Sequence, residues 1–290
     1  MRISKQHVIY QMHRNNPAVT RCRSGDTVVF ETCDCFHDSV RSETDLVSGV
    51  DFSRINPATG PLYVEGAEAG DLLRVDILSI RLDSRGAIVS APGLGRLADL
   101  IGKEQTVIGE VSGDSIRILG RELPVRKMVG VIGTAPAGEG VPTGSPHDHG
   151  GNLDCTEIRE GASLYLPVEV EGALLAMGDL HAGMGDGEIM GAGLEIAGEV
   201  EVRVEVVKNR KLPTPFIETS EQVMTLASGE SMEEAAERAI RNMADYLTQT
   251  TKLSLEEAGM LLSMAGDLRV CQIVNPNVTM RMELDRRCLA

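Results

Sequence analysis

The side chains best suited to chemistry in this sequence lie in one glycine-rich segment, residues 178–188. Its first part, Gly178-Asp179-Leu180-His181, places a carboxylate and an imidazole two residues apart. Side chains two apart on a strand point to the same face, so Asp179 and His181 can present two metal ligands side by side. Asp186 and Glu188 repeat this spacing after a turn in which glycine allows close approach to an ion. A solvated acidic turn is the alternative, but an imidazole so close favours a site.

A second polar group is His147-Asp148-His149-Gly150-Gly151-Asn152-Leu153-Asp154. The His-X-His spacing supplies two imidazoles on one face, and the glycine pair lets the chain turn so that Asp154 can join them. Two histidines in a proline- and glycine-containing loop are often surface residues, so this group alone is only moderately specific. Whether His147 is a ligand or lines the mouth of a site stays open.

A third group, Thr32-Cys33-Asp34-Cys35-Phe36-His37, ends a predicted strand. Its Cys-X-Cys spacing could bind zinc, but no second thiol pair follows it. The carboxylate of Asp34, set among apolar and thiol neighbours, is therefore the stronger candidate ligand.

Histidines and carboxylates together suit zinc, whereas calcium suits a place where only oxygens converge, as a second or alternative ion. A bound metal lowers the pKa of its water and polarises a carbonyl, while an unligated carboxylate removes the proton. Such an assembly hydrolyses amides and esters. Nucleophilic catalysis is less well supported, because the sequence has no Gly-X-Ser-X-Gly elbow.

The elements that must position these groups are short strands. From about residue 20 to 207, runs with period-2 alternation follow turns that contain glycine. The clearest run is residues 200–206, where four valines alternate with three charged residues. We therefore predict an antiparallel β-sandwich or barrel as the catalytic region, residues 1–210. The proline-rich stretch 212–215 marks its boundary.

The remaining region, 211–290, has a helical pattern. Two capping boxes, at Ser231 to Glu234 and at Ser254 to Glu257, predict helices over about 231–250 and 254–266. Residues 268–275 then predict a returning strand. The expected fold class is mainly β with a smaller α+β part, in which a helical hairpin and a strand follow the sandwich or barrel.

Composition excludes several classes of partner. The formal charge of -15 and the lack of a basic cluster argue against nucleic acid. No run reaches the ~18 apolar residues of a membrane span, and residues 1–19 do not resemble a secretory signal. We expect a cytoplasmic protein with its six cysteines reduced. An aromatic content of 3% favours a small, non-aromatic substrate.

These motifs, in this order, resemble the acetamidase/formamidase family. The similarity lies in residues 178–188 and 149–154, and it extends to residues 30–36, 56–66 and 164–168. The resemblance implies hydrolysis of short linear amides, such as formamide or acetamide, to a carboxylate and ammonia. It also implies a mainly β fold, a bound metal, and a homo-oligomer, which we expect to be a dimer. One departure from the family pattern is the pair His147-Asp148.

The family's polar motif positions are matched here by Asp34, His149, Asp154, Asp179, His181 and Glu188. The leading hypothesis takes Asp34, Asp179, His181 and either His149 or Asp154 as metal ligands. Glu188 or Asp186 would activate water, with Glu65 in reserve. The candidates for donors to the developing oxyanion are Gly150, Gly151 and Asn152.

Two other functions fit parts of the sequence. The His147-X-His149 pair in a β-rich chain suggests a cupin-like metal enzyme such as a dioxygenase, although no second cupin motif follows. Net acidity and the run Asp186-Gly187-Glu188 suggest a non-enzymatic, calcium-stabilised β module, in which only oxygens would coordinate the ion.

Overall fold

A computed structural model of the protein describes residues 1–289. Most of the regular structure is extended, with two α-helices near the C-terminal end and three short 3-10 turns. The helices are α1 (Met232–Thr250) and α2 (Leu255–Ala265). The strands, in chain order, are β1 (Arg2–Ile3), β2 (Val8–Ile9), β3 (Gln11–Met12), β4 (Thr20–Arg23), β5 (Thr27–Thr32), β6 (Ala58–Glu65), β7 (Leu72–Leu82), β8 (Arg85–Ser90), β9 (Gln105–Ser112), β10 (Ser115–Ile118), β11 (Arg121–Pro124), β12 (Met128–Gly133), β13 (Val141–Pro142), β14 (Gly150–Asn152), β15 (Ser163–Pro167), β16 (Leu175–His181), β17 (Glu195–Ile196), β18 (Gly198–Val207), β19 (Phe216–Glu218), β20 (Gln222–Gly229), β21 (Gly266–Gln272) and β22 (Val278–Asp285).

The first large sheet has nine strands in the order β1-β5-β18-β7-β15-β19-β20-β22-β21. The strand predicted at residues 200–206 is confirmed as part of β18. Its valines at 200, 202 and 204 are fully buried, while the charges between them face outward. The sheet takes strands from both sides of residue 210, so regions 1–210 and 211–290 share one sheet.

The second large sheet carries the candidate site. It has eleven strands, with β11-β10-β9-β8-β17-β16-β12-β14 as its main path and β6 pairing with β16, β2 and β4. Strand β16 is buried along its whole length and ends at His181. Side chains from both sheets, such as Phe30 and Val200 from the first and Val129 and Leu180 from the second, form one core.

The predicted mainly β class with a sandwich core is confirmed, but the barrel alternative is wrong. Over residues 1–289 neither large sheet closes on itself: β1 and β21 end the first, and β11 and β14 end the main path of the second. A period-2 pattern shows that a strand has one buried face, and it carries no information on whether the first and last strands of a sheet meet.

Both predicted helices are confirmed to within one residue. In α1, Ala239, Met243 and Leu247 are buried and pack on the sheet with residues of β20 and β22. The predicted final strand begins two residues earlier, at the end of α2, and forms a hairpin with β22. None of the helices described is long and apolar enough to cross a membrane.

Ser254 provides a test of how α2 begins. Its hydroxyl accepts a hydrogen bond from Glu257 N at 3.2 Å, and its own N–H donates to Glu257 Oε2 at 2.8 Å. Because Ser254→Ala removes one arm of this box, we expect the free energy of unfolding to fall by about 1 kcal/mol. Urea denaturation measures it. Ser263→Ala, in the exposed part of the same helix, is the matched control and should not destabilise, since alanine favours helix.

Candidate active site

The imidazole of His181 stands at the centre of a buried group of acids. Its Nε2 lies 3.1 Å from Glu195 Oε2, 3.6 Å from Asp179 Oδ1 and 4.0 Å from Asp154 Oδ1. All four side chains are almost fully buried. Burial alone would disfavour the imidazolium, but the negative charges of Glu195 and Asp179 outweigh it and raise the pKa of His181. The site is therefore a buried cluster of acidic side chains around one imidazole.

Four residues of the site have left-handed backbone conformations that L residues rarely adopt. The φ angles are 42° at Asp154, 59° at Asp179, 48° at Glu188 and 52° at Asn56. Asp179 interrupts β16 between Gly178, which pairs with Val131, and Leu180, which pairs with Val129. Each such conformation costs of order 1–3 kcal/mol and persists only where the surrounding structure holds it, commonly at functional sites.

Amide side chains fix the two aspartates. Asn56 Nδ2 donates to Asp179 Oδ2 at 3.0 Å, and Asn275 Nδ2 donates to Asp154 Oδ2 at 2.7 Å. Similarly, a backbone N–H holds Glu195 Oε1. In each of these carboxylates one oxygen is satisfied, while the second oxygen is the one nearest His181. Hydrogen bonds thus fix the outer oxygen of each carboxylate, while the oxygens that face His181 form an open side without such partners.

The open side contains many unsatisfied polar atoms. Within residues 1–289, these buried side-chain atoms have no hydrogen-bond partner: His149 Nε2, Asn152 Oδ1, Asp154 Oδ1, Asp179 Oδ1, His181 Nδ1 and Nε2, Glu188 Oε2 and Glu195 Oε2. Unpaired buried groups of this kind are costly in a folded protein. A bound cation would satisfy the carboxylates and the imidazole together.

The possible ligand atoms fall into two groups, each with all its atoms within 4.8 Å of one another. One group is Asp154, His181 and Glu188, and the other is Cys35, Asp179 and Glu195. Carboxylate oxygen, imidazole nitrogen and thiolate sulfur are the donors that zinc takes in proteins. The residues present therefore fit the metal that the sequence predicts.

The acids repel one another in this enclosure. Burial, followed by the charge of Asp179, raises the pKa of Asp154 to about 6. Burial is also the main reason why the pKa of Glu195 rises to about 8 and that of Glu188 lies well above its ordinary value. A divalent cation would relieve this repulsion and favour the charged carboxylates.

Four predicted site residues are brought together: Asp154, Asp179, His181 and Glu188. His149 is buried, and burial lowers its pKa to about 4, but it belongs to neither group of possible ligands. Its ring lies 6.1 Å from that of His147, centre to centre. His147 lies at the surface beside Asn277, with ring nitrogens 3.3 and 3.4 Å from Asn277 Nδ2.

Asp34 closes a turn in this structure. Its Oδ1 accepts the backbone N–H groups of Phe36 at 3.0 Å and Asp38 at 2.7 Å. Burial raises the pKa of Asp34 to about 6. The next residue, Cys35, is the one that joins Asp179 and the second group of possible ligands.

The two other carboxylates considered as bases lie away from the buried group. Asp186 is half-exposed and pairs with Arg281, Oδ2 to Nη2, at 2.8 Å. It also accepts the Thr156 hydroxyl at 2.9 Å. Glu65 is exposed at the end of β6, 3.8 Å from Arg23 Nε. Of the three predicted catalytic carboxylates, only Glu188 faces the site.

The predicted oxyanion donors have different surroundings. Gly150 N donates to the carbonyl of His147 at 3.0 Å, so that N–H is already used. At Gly150 and Gly151, φ is positive, and a Cβ would collide with backbone carbonyl oxygens of Ile132 and Ser145. Asn152 has its side chain in the cavity described next.

A cavity of about 550 Å³ leads from the buried acids to the surface. Its polar end is lined by side chains already described, namely Asn56, Asn152, Asp179, Glu188, Glu195 and Asn275. Sequence reasoning missed Glu195, Asn56 and Asn275 as site residues, and it considered Cys35 only as part of a Cys-X-Cys zinc site, which it ranked below Asp34. The one local signal was Glu195, an acid between Leu194 and Ile196 in a strand. The asparagines each precede a proline, which indicates only a turn.

The chain is similar to known proteins along almost its whole length. The chain matches the model of the acetamidase/formamidase family over residues 1–142 and 137–287. It is similar to the crystal structure of an acetamidase from Bacillus halodurans, with 50% identity, a TM-score of 0.98, and coverage of 99% of this chain and 98% of that one. A predicted acetamidase/formamidase from Thermoanaerobacter tengcongensis gives 40% identity and a TM-score of 0.96, covering 99% and 96%.

A formamidase from Methylophilus methylotrophus is 27% identical over 259 residues, covering 68% of this chain. The matched part is 63% of that relative, so the chain spans less than two thirds of its length. The family model matches nearly the whole sequence, and the fold matches solved structures that are 50% and 40% identical. The chain belongs to the acetamidase/formamidase family.

Proposed function

We propose that this protein hydrolyses short linear amides, such as formamide and acetamide, to a carboxylate and ammonia at a metal centre built around His181. One observation carries the proposal: a buried imidazole and four buried carboxylates with unpartnered atoms lie together, and three of these carboxylates line the inner end of an open cavity. Such an enclosure suits a cation and a small polar substrate.

In this proposal His181, Asp154 and Asp179 hold the metal, and Cys35 and Glu195 provide further donors. Zinc is favoured over calcium, since calcium takes only oxygen ligands and this centre has nitrogen and sulfur. A calcium-stabilised module would need the imidazole away from the ion. The bound metal would polarise the substrate carbonyl and lower the pKa of water.

Glu188 is the proposed general base. Its Oε2 has no protein partner in the described chain, its carboxylate lines the cavity, and burial raises its pKa above the ordinary value, which makes the carboxylate a stronger base. The unpartnered Asn152 Oδ1 can accept an N–H of the substrate amide. A small neutral amide is thus held at both its carbonyl and its nitrogen. The homodimer and the cytoplasmic location remain predictions.

Ammonia release tests the proposal directly. The protein should release ammonia from formamide and acetamide, lose this activity on treatment with a chelator, and recover it with zinc but not with calcium. Release from no short amide would overturn the proposed reaction. Full activity in protein shown to be metal-free would overturn the metal centre alone.

Gly130 gives a prediction about the shape of the centre. A Cβ at this position of β12 would lie 2.6 Å from Asp154 Oδ1 and 2.7 Å from Asp179 Oδ2. Both aspartates are tied to asparagines, so neither can move away freely. Since a displacement of about 1 Å at an active site can cost 10²-fold, we expect Gly130→Ala to lower kcat/KM by about that factor.

The matched control is Gly138→Ala, in an exposed loop where a Cβ would meet nothing within 4 Å. Circular dichroism should show that both variants are folded. Wild-type kcat/KM in Gly130→Ala would show that the positions of these two carboxylates are not critical.

A further inference from the structure

We infer that one wall of the cavity binds the acyl chain of the substrate; we call it the acyl wall. The enzyme then prefers uncharged amides with a longer alkyl chain over acetamide. This inference rests on the proposed function and names its substrate class more narrowly. The wall consists of Phe36, Val47, Phe52, Val89 and Leu94, all of which line the cavity.

The size of the cavity is the first reason. A water molecule occupies roughly 30 Å³ in the liquid, so acetamide, with each of its four non-hydrogen atoms counted as one water, would take about 120 Å³. The cavity is about 550 Å³, so acetamide would leave most of it unused. A pocket shaped only for a one- or two-carbon acyl group would not need this space.

The wall is also preformed and begins close to the polar end. Phe36, Val47 and Val89 are at most 8% exposed and belong to one buried cluster with Cys35. Cys35 is in turn one of the possible metal ligands, grouped with two acids of the site. Phe36, which also lines the cavity, directly follows Cys35 in the chain, so apolar surface lies beside one of the possible metal ligands.

Leu94 extends the wall beside the proposed base. It lies in the connection between β8 and β9 and packs against the buried cluster. A Cβ on Gly191 would be 3.1 Å from Leu94 Cδ1, and Gly191 N donates to the carbonyl of Glu188. The hydrogen bond from Arg96 N to Ile189 O, 2.7 Å, fastens the connection to this turn.

The charge of the lining selects against an acidic acyl chain. Among the described residues that line the cavity there is no lysine, arginine or histidine, whereas Asp179, Glu188 and Glu195 are present. A carboxylate at the end of the acyl chain would meet apolar side chains and like charge, with no basic side chain in the lining to pair with. The preferred acyl group is therefore neutral and aliphatic.

The test is kcat/KM for ammonia release with acetamide, propanamide, butanamide, pentanamide and succinamate. Burying each further methylene in the wall should raise kcat/KM about fourfold, or about 60-fold from acetamide to pentanamide. Succinamate should be at least about tenfold poorer than butanamide. Leu94→Ala and the exposed Phe52→Ala should each lower the ratio of pentanamide to acetamide, the first by about tenfold.

Leu100→Ala is the matched control, since this leucine is 75% exposed in the same connection and outside the cavity; the ratio should stay unchanged. Acetamide hydrolysis with kcat/KM that is flat or falls along the series would overturn the acyl wall and leave the proposed function intact. Succinamate turned over as well as butanamide would also overturn it. Ammonia from none of these amides would overturn both proposals.

Discussion

Replacing His181 by alanine is expected to remove bound metal and to lower amide hydrolysis by more than about 10³-fold, because metal and general base act together in such a centre. His181 supplies the one imidazole within 4.0 Å of Glu195, Asp179 and Asp154. Without it, the proposed metal site would lose its nitrogen ligand. Metal content after dialysis and ammonia release from acetamide are the two measurements, and we expect them to fall together.

The matched control is His147→Ala. His147 lies at the surface, so this variant should keep its metal and its activity. His181→Asn separates loss of the ligand from loss of packing, since it retains a polar side chain in the buried position; it should also lose metal. Retention of metal and turnover in His181→Ala would refute the assignment of His181 as a ligand.

The parts of the fold that the sequence predicts well are those decided locally. Alternation of valine and charge at residues 200–206 requires only that one face of a strand be buried. The Ser-X-X-Glu patterns at Ser231 and Ser254 likewise specify helix starts through contacts within four residues, although only the second forms a complete capping box. Closure of a sheet depends on pairing between strands far apart in the chain, such as β5 with β18, and no local pattern encodes that.

In the site, too, the sequence predicts some features and not others, and the two-residue spacing rule succeeds at one place and fails at another. Asp179 and His181 do meet, as the two-residue spacing predicts, but Asp179 has a left-handed backbone and the strand is not regular there. The same spacing rule fails for Asp186 and Glu188, since the rule holds only in an extended strand. Residue 188 lies in a turn with positive φ, so its carboxylate enters the cavity while that of residue 186 leaves it.

The features of the site that the sequence does not predict depend on residues far apart in the chain. Asp186 is held by Arg281, a residue 95 positions later on β22, and that ion pair could not be foreseen from residues 178–188. Glu195 and Asn275 also reach the centre from segments without a recognisable motif. Asp186 and Glu188 look equally suitable as bases in the sequence, but contacts with residues far along the chain give them different positions.

Because Glu188 lines the cavity and Asp186 does not, the second large effect on activity is predicted at Glu188. We expect Glu188→Gln to lower kcat by about 10²–10⁴-fold, the usual contribution of a general base. The amide is close to isosteric with the carboxylate but cannot take a proton. Steady-state ammonia release measures the effect, with metal content as a second reading, because Glu188 also lies close to Asp154 and His181. Loss of kcat with metal retained would identify proton transfer as the lost step.

Asp186→Asn is the control for the same chemical change two residues away. It weakens the ion pair with Arg281, whose side chain is only 4% exposed. Arg281 retains its second ion pair, from Nε to Glu283 Oε1 at 2.6 Å. We therefore expect a loss of about 1–2 kcal/mol in the free energy of unfolding, from a buried donor left less well satisfied. Catalysis should persist, because Asp186 does not line the cavity. If Asp186→Asn abolished turnover in folded, metal-loaded protein while Glu188→Gln did not, Asp186 would be the base, and the turn would have to rearrange to bring it inward.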